Sequence, residues 1–295
     1  MRALAGIALN TFRETTRQPF YYLLLTVGVA ALLVTLWLPL FTFTSDTDMY
    51  KELGLSFALV FVMLVGLLGA ATGVAREVED KTAHTILAKS GVRWKFVVGK
   101  YVGAMGAVAL ALVALGTVLV VALYYRVEID AGVLERPYTI GGMGNQVDAF
   151  WWRRVYQAMT VVPGLVLVGL QVGVLSAVAT ALSTRFSVAA SVALSLGVFV
   201  GGHLVVFLEQ ATRLASTGIR VGAEVVATVV PFLEIFNLNR RLSHTMLTPF
   251  DPGSPGAEMW GEVWAYVGLA AVYAAAYTVV ALAVGVWLFR RRSLS

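Results

Sequence analysis

The chain has 295 residues, of which 59% are hydrophobic and only 13% are charged. Soluble domains carry about 25% charged residues and about 45–50% apolar ones, so this composition excludes an ordinary soluble protein. The chain contains no cysteine, which excludes disulfides, thiolate metal sites and a cysteine nucleophile. The formal net charge is +5. In a membrane protein, the positions of the charged residues along the chain are more informative than this sum.

Residues 1–18 precede the first long apolar run and have the pattern of an amphipathic helix. Their arginines and Glu14 fall away from one helical face, which is formed by Leu4, Ile7, Ala8, Thr11 and Phe12. This pattern predicts a helix that lies on the inner membrane surface with its bases toward anionic headgroups. A frayed tail with accidental spacing is the alternative.

The apolar stretches indicate how many times the chain crosses the bilayer. A hydrocarbon core of about 30 Å requires about 20 apolar residues in a helix. Six stretches reach this length: Phe20–Phe43, Leu53–Ala75, Phe96–Tyr125, Tyr156–Leu182, Val188–Leu208 and Val263–Phe289. We therefore predict an all-α membrane protein whose six transmembrane helices form a single domain over residues 1–295. Pro163 lies inside the fourth stretch, where a kink is tolerated.

The distribution of charges predicts the orientation. Six spans place both termini on one side, which carries 13 Lys and Arg residues and four acidic ones, whereas the other side carries nine bases and 13 acids. An excess of Lys and Arg marks the cytoplasmic face. We therefore predict a multi-pass protein of the plasma (inner) membrane with both termini in the cytoplasm. Because the net charge is explained by topology, no nucleic acid partner is expected.

Two segments are predicted to face the outside. Residues 126–155 form a polar, glycine-rich loop that ends in a tryptophan pair, which is typical of an anchor at the membrane interface. Residues 209–262 are long for a connection and contain several prolines, so they are predicted to be irregular and are a candidate external gate. Within them, Val221–Leu233 is too short to cross and is predicted to be a re-entrant or interfacial helix that ends at Pro231.

Few polar groups fall inside the predicted spans. Gln171 is predicted to make a helix–helix hydrogen bond, and His203 to be a satisfied polar residue packed in the bundle. Lys100, at the start of its helix, is predicted to extend to the inner headgroups. Pairs of glycines at four-residue spacing are predicted to let helices approach closely. The chain contains four such pairs within the predicted spans or at their ends: Gly69/Gly73, Gly99/Gly103, Gly169/Gly173 and Gly197/Gly201.

The inner segment of residues 76–95, between the second and third spans, carries the most information about function. It is charged at its start, then amphipathic, and is broken by Ser90 and Gly91. A short helix held here between two spans can transmit a movement of a soluble partner protein to the transmembrane helices. A solvated loop that obeys the positive-inside rule is the alternative, and the pattern alone favours neither.

From Arg76 to Gly103 the chain reads REVEDKTAHTILAKSGVRWKFVVGKYVG. This segment resembles the corresponding loop of the type 2 ABC transporter permeases, roughly E-x-x-x-[GK]-T-x-x-x-L-L-A-x-P-V-x-R-x-x-F-x-x-G-K, and is closest to the branch named for multi-copper enzyme maturation. The matching positions are Glu77, Lys81, Thr82, Ile86, Leu87, Ala88, Arg93, Phe96, Gly99 and Lys100. The chain departs from the pattern at Ser90, where the family usually has proline, and at Gly91. Residues 231–237, PFLEIFN, also look like the family's outer segment.

The resemblance implies the membrane subunit of an ABC exporter, which moves its substrate with ATP hydrolysed by separate ATPase subunits. It also implies a second permease copy or a homologue as partner, with Gly197 and Gly201 near the interface between the two. Thr82 is expected to cap the coupling helix. The full set of residues expected in ATPase coupling is Glu77, Glu79, Thr82, Arg93 and Lys95.

The chain itself is not predicted to be an enzyme. Gly99 and Lys100 lack the upstream glycine and the following Ser or Thr of a phosphate-binding loop, so ATP is not expected to bind here. The three histidines share no ligand spacing, and no catalytic residue, cofactor or metal site is predicted. The alternatives to an ABC permease are a small ATP-independent secondary carrier and a membrane anchor for the assembly of another complex.

Overall fold

The computed structural model describes residues 2–37, 46–79, 93–134, 146–212, 230–238 and 255–290. Every regular element in these ranges is a helix, so the predicted all-α class is confirmed for the described part of the chain. The helices are α1 (Arg2–Thr16), α2 (Pro19–Trp37), α3 (Asp46–Glu79), α4 (Arg93–Leu134), α5 (Gln146–Met159), α6 (Val162–Ser183), α7 (Val188–Thr212), a short 3-10 helix (Leu233–Phe236) and α8 (Pro255–Arg290).

The length and composition of the helices make the chain a multi-pass membrane protein. Five helical segments of the described residues are long and apolar enough to cross a bilayer, namely Pro19–Trp37, Thr47–Glu77, Trp94–Val127, Trp151–Ser183 and Gly256–Arg290. The predicted fifth span coincides with α7, of which the part Val188–Leu204 is apolar but, taken alone, is shorter than the five segments above. The structure therefore shows five candidate spans, and the sixth stays a prediction.

The fourth predicted span, Tyr156–Leu182, is not one continuous helix. The chain leaves α5 through a turn at Thr160 and Val161, and α6 then begins with Pro163 in its first turn. Proline is favourable there because the N–H groups of a first turn have no partner within the helix. The tolerated kink is thus a break between two helices just before the proline.

Helix also extends into both segments that the sequence assigned to outer loops. Within residues 126–155, α4 continues to Leu134 and α5 begins at Gln146, and within residues 209–262, α8 begins at Pro255. Most of the predicted re-entrant helix falls in residues 213–229, which lie outside the described residues. The described part of the first predicted span is α2, which reaches Trp37, and the rest of that span lies in residues 38–45, outside the described part.

α6 lies at the centre of the bundle and contacts α3, α4, α7 and α8. In an apolar 18-residue stretch of the span Trp151–Ser183, which includes α6, 67% is buried inside the protein. The corresponding shares are 28% for α2 and 22% for the span of α8. Small residues make the close approach possible: a Cβ added to Gly66 of α3 would lie 2.6 Å from Ser176 Oγ of α6. Because lipid supplies no hydrophobic force between helices, such close packing is what holds a membrane bundle together.

Tyrosine hydroxyl groups connect neighbouring helices by donating hydrogen bonds to backbone carbonyls. Each of these bonds satisfies a polar group in an environment without bulk water. The donor and acceptor pairs are Tyr21 with Ala107 O at 3.2 Å, Tyr50 with Leu32 O at 2.9 Å, and Tyr101 with Gly173 O at 3.3 Å.

The short 3-10 helix packs against α6 and α7 and is hydrogen-bonded to the first half of α8. The Phe232 N–H donates to the Tyr273 hydroxyl at 2.8 Å, and the Tyr266 hydroxyl donates to Ile235 O at 2.7 Å. Leu233 is buried. These contacts fix residues 230–238, which include the PFLEIFN segment, at the end of the bundle opposite α1.

Candidate functional site

α1 docks into a groove that is lined by glycines of α3 and α4. A Cβ added to Gly103 of α4 would lie 2.6 Å from Thr11 Cβ, and a Cβ added to Gly69 of α3 would lie 2.8 Å from Thr15 Cγ2. Both threonines are buried. The apolar face that the sequence predicts for α1 therefore packs on protein, and the predicted place of this helix on the inner membrane surface stays a prediction.

One lysine joins three helices at this end of the bundle. Lys100 Nζ of α4 lies 2.5 Å from Glu77 Oε1 of α3 and 3.5 Å from Glu14 Oε2 of α1. Lys100 is only 3% exposed, whereas Glu77 is 26% and Glu14 is 35% exposed. A charge withdrawn from water requires a paired opposite charge, and here two carboxylates supply it. We call Glu14, Glu77 and Lys100 the Lys100 cluster.

The Lys100 cluster corrects one prediction from the sequence. Lys100 was expected to extend to the inner headgroups, and this is wrong because its ammonium group is enclosed by α1, α3 and α4. A snorkelling lysine needs an open path from its helix to the interface. The docking of α1 over the start of α4 closes that path.

A half-open cavity of about 280 Å³ lies beside the Lys100 cluster. Its lining combines small and apolar residues with three polar ones. The lining residues are Ala3, Gly6, Ile7 and Asn10 of α1, Glu77 of α3, and Phe96 and Lys100 of α4.

The far end of α8 supports one wall of this cavity. The ring of Phe96 stacks on the ring of Phe289 with centroids 5.8 Å apart. The Lys100 ammonium lies 5.8 Å from the Phe96 ring centroid on the same side of the bundle. Ends of α1, α3, α4 and α8 therefore meet around one aromatic and ionic site.

The structure places the start of the predicted coupling segment, at Glu77, against α4 just beyond the end of that segment. Glu77 and Lys100 are paired across the ends of α3 and α4, and Glu79 is the last residue of α3 while Arg93 is the first residue of α4. Residues 80–92, which connect these ends, lie outside the described residues.

The remaining predicted coupling residues have different environments. The Lys95 ammonium lies 5.8 Å from the centroid of the Trp94 ring, which is itself exposed. Thr82 lies outside the described residues, so its predicted capping role stays a prediction. Sequence reasoning missed Glu14, which comes three residues after Thr11 and seven after Ile7 and therefore lies at the edge of the face that packs on α3 and α4.

Gly197 and Gly201, predicted at a subunit interface, differ from each other. A Cβ added to Gly197 of α7 would have no neighbour within 4 Å, whereas one added to Gly201 would lie 3.7 Å from Val230 Cγ1. Gly197 faces out of the bundle and Gly201 faces the segment that leads into the 3-10 helix. By contrast, Gly69 and Gly103 pack within the chain, as predicted.

Gln171 and His203 form a polar contact between α6 and α7. His203 Nδ1 lies 2.9 Å from Phe199 O, so this nitrogen carries the proton and donates. His203 Nε2 then accepts from Gln171 Nε2 at 3.4 Å. The predicted helix–helix hydrogen bond of Gln171 and the satisfied state of His203 are both confirmed.

A second set of charges lies at the opposite end of the bundle. Buried Lys51 pairs with Asp48 at 3.1 Å within α3. Arg126 of α4 donates to Leu36 O near the end of α2. The last carbonyls of a helix carry a partial negative charge, so a guanidinium group there stabilises the helix end.

The chain matches no protein-family model, and it has no match among curated protein sequences. The fold defines its class as an all-helical, multi-pass membrane protein with a packed N-terminal helix. The resemblance to type 2 ABC permeases therefore depends on the sequence alone, chiefly on residues 76–103.

Proposed function

We propose that the chain is the transmembrane permease subunit of an ABC exporter, driven by a separate ATPase subunit that acts on residues 76–95. The observation that best supports this proposal is the contact between motif residues of α3 and α4. Glu77 of α3 and Lys100 of α4 both match the family pattern and form an ion pair, and the matching Phe96 and Gly99 lie within about one turn of Lys100. The two parts of the motif that flank residues 80–92 are thus in contact across two helices.

The geometry of α3 and α4 suits the transmission of movement. The two helices have 34 and 42 residues, which correspond to about 50 and 63 Å at 1.5 Å per residue. A hydrocarbon core is about 30 Å thick, so both helices project beyond it. A displacement applied to the connection between them therefore reaches the opposite end of the bundle along two stiff elements that Glu77 and Lys100 hold together.

The proposal includes a second permease subunit, either a copy of this chain or a homologue. Support comes from α7, where Gly197 faces outward between the exposed side chains of Leu194 and Val200. A small residue flanked by large apolar ones on an outer face allows another helix to approach closely. In this arrangement six spans cross the plasma (inner) membrane, and both termini and residues 76–95 are cytoplasmic.

Co-purification from native membranes tests the proposal. We expect the tagged chain to recover an ATPase subunit and to stimulate its hydrolysis of ATP. Arg93→Ala and Lys95→Ala each remove a base at the start of α4. We expect each substitution to reduce the recovery of the ATPase subunit and the stimulation of its ATP hydrolysis. Arg185→Ala is the matched control, because Arg185 is an exposed base in the turn between α6 and α7 at the same end of the bundle.

Two results would contradict this function. One is recovery of the intact chain without any ATPase subunit. The other is transport by the purified chain in vesicles that contain no ATPase, which would favour the secondary carrier. Equal loss of ATPase from the Lys95 and Arg185 variants would remove residues 93–95 from the contact.

A further inference from the structure

α1 is held against the bundle along one side and is connected to α2 by a short turn. Ile7 packs on Gly99, where an added Cβ would lie 2.9 Å from Ile7 Cγ2, and Thr15 packs on Gly69 near the other end of the helix. Only Arg17 and Gln18 separate α1 from α2. Movement of α1 would therefore pivot at this turn and displace Ile7 further than Thr15.

The Lys100 cluster contains two carboxylates from different helices and one ammonium group. Glu77 Oε1 lies 2.5 Å from Lys100 Nζ, and Glu14 Oε2 lies 3.5 Å from the same nitrogen. The closer carboxylate belongs to the end of α3, and the more distant one belongs to α1. The two carboxylates carry like charges and share one ammonium group, so the departure of one removes its repulsion of the other and leaves the ammonium group free to move closer to it.

We propose that Lys100 is a shared counterion that makes the attachment of α1 depend on the position of the end of α3. While Glu77 is paired with Lys100, Glu14 holds α1 only weakly. When the end of α3 moves away, Lys100 turns to Glu14 and holds α1 more firmly. This inference rests on the proposed function in one respect, because a partner protein is what would move residues 76–95.

The physical reason for this exchange is the burial of Lys100. An enclosed ammonium group that loses one carboxylate keeps a strong preference for the other, because an unpaired buried charge is costly. Glu14, which is 35% exposed, can approach without being stripped of all its water. The half-open cavity lined by Gly6, Ile7 and Asn10 provides space for α1 to shift toward the cluster.

Thiol labelling of single cysteines measures how firmly α1 is held. The chain has no cysteine, so Ile7→Cys and Thr15→Cys each introduce one unique thiol. The rate of reaction with a maleimide is measured on the full chain in membranes that contain no ATPase subunit. The thiol at position 15, near the pivot, is the matched control for the thiol at position 7.

The shared counterion predicts effects of opposite sign for two isosteric changes. Glu14→Gln should accelerate labelling at position 7 about twofold to fivefold, the range expected for a partly exposed ion pair. Glu77→Gln should slow it by about twofold or more, because Lys100 is then available to Glu14. Labelling at position 15 should change less in both variants. If both substitutions accelerate labelling at position 7, the cluster is a static contact and the proposal is overturned.

A charge exchange provides a second test that preserves the contact between α3 and α4. The double variant E77K/K100E keeps an ion pair between these helices but places a carboxylate opposite Glu14. We expect the fastest labelling at position 7 in this variant. Unchanged labelling there would show that Glu14 does not hold α1. Neither result depends on an ATPase, so failure here leaves the co-purification test of the proposed function intact.

Discussion

Gly103 of α4 and Thr11 of α1 approach so closely that a Cβ on the glycine would lie 2.6 Å from Thr11 Cβ. The contact makes α1 part of the helix bundle rather than a separate helix on the lipid surface. The same docking keeps Glu14 within reach of Lys100, whose ammonium group lies 3.5 Å from Glu14 Oε2. The close approach at the glycine therefore supports the Lys100 cluster.

Enlarging Gly103 should displace α1. Because no space exists for a side chain, we expect Gly103→Val to lower the free energy of unfolding by about 1–3 kcal/mol, the usual cost of overpacking. The measurement is thermal unfolding in detergent. Gly197→Ala is the control, since an added Cβ there meets nothing within 4 Å. An equally stable Gly103→Val variant would contradict the docking of α1.

A double-mutant cycle should detect the pair of Glu77 and Lys100. Glu77→Gln leaves a buried ammonium group with one carboxylate, whereas the combination with Lys100→Met removes both charges. We expect the double variant to be more stable than the sum of the single effects indicates, with a coupling of about 0.5–3 kcal/mol. Additive effects in denaturant unfolding would show that the two side chains do not interact.

Two tyrosines of α8 should determine how firmly residues 230–238 are attached. Tyr266→Phe and Tyr273→Phe each remove one hydrogen bond to this segment, worth about 0.5–1.5 kcal/mol. In a Leu238→Cys background, we expect the two changes together to accelerate thiol labelling at this buried position about tenfold, the combined effect of two such bonds. Tyr125→Phe, which changes an exposed ring of α4, is the control. Unchanged labelling at position 238 would mean that packing alone holds the segment.

The contact between Gln171 and His203 should contribute modestly to stability. Gln171→Leu removes a hydrogen bond between α6 and α7, and such bonds in membranes average about 0.6 kcal/mol with a maximum near 1.7 kcal/mol. Ser195→Ala is the comparison, because the Ser195 hydroxyl donates to Ser191 O within α7 itself. We expect thermal unfolding to show a larger decrease in the free energy of unfolding for Gln171→Leu than for Ser195→Ala. A larger loss for Ser195→Ala would contradict this assignment.

Much of the fold follows from features that are local in the sequence. Apolar runs long enough for a bilayer place α2, α3, α4, α6 and α8, and helical spacing identifies the inward face of α1. Local patterns place helix ends less well: the chain breaks at Thr160 before Pro163, and α4 and α8 extend beyond the predicted spans. Hydropathy averages over a window and does not resolve where a backbone turn interrupts an apolar run.

The candidate site depends on contacts between distant segments, and the sequence predicted only part of it. The motif indicated Glu77 and Lys100 separately, but their pairing requires α3 and α4 to lie side by side. The burial of Lys100 requires α1 to dock on both helices, which depends on the backbone approach that Gly103 allows. Without that docking, a lysine at a helix start is expected to reach the headgroups.

Site-specific photocrosslinking from position 95 in native membranes tests the central claim most directly. Lys95 lies at the start of α4, close to the connection that the ATPase subunit is proposed to move. We expect a photoreactive residue there to form a covalent adduct with an ATPase subunit, and one at position 185 to form much less. If position 95 is modified only by reagents applied from outside the cell and gives no adduct with an ATPase, the chain is not an ABC permease of the proposed kind.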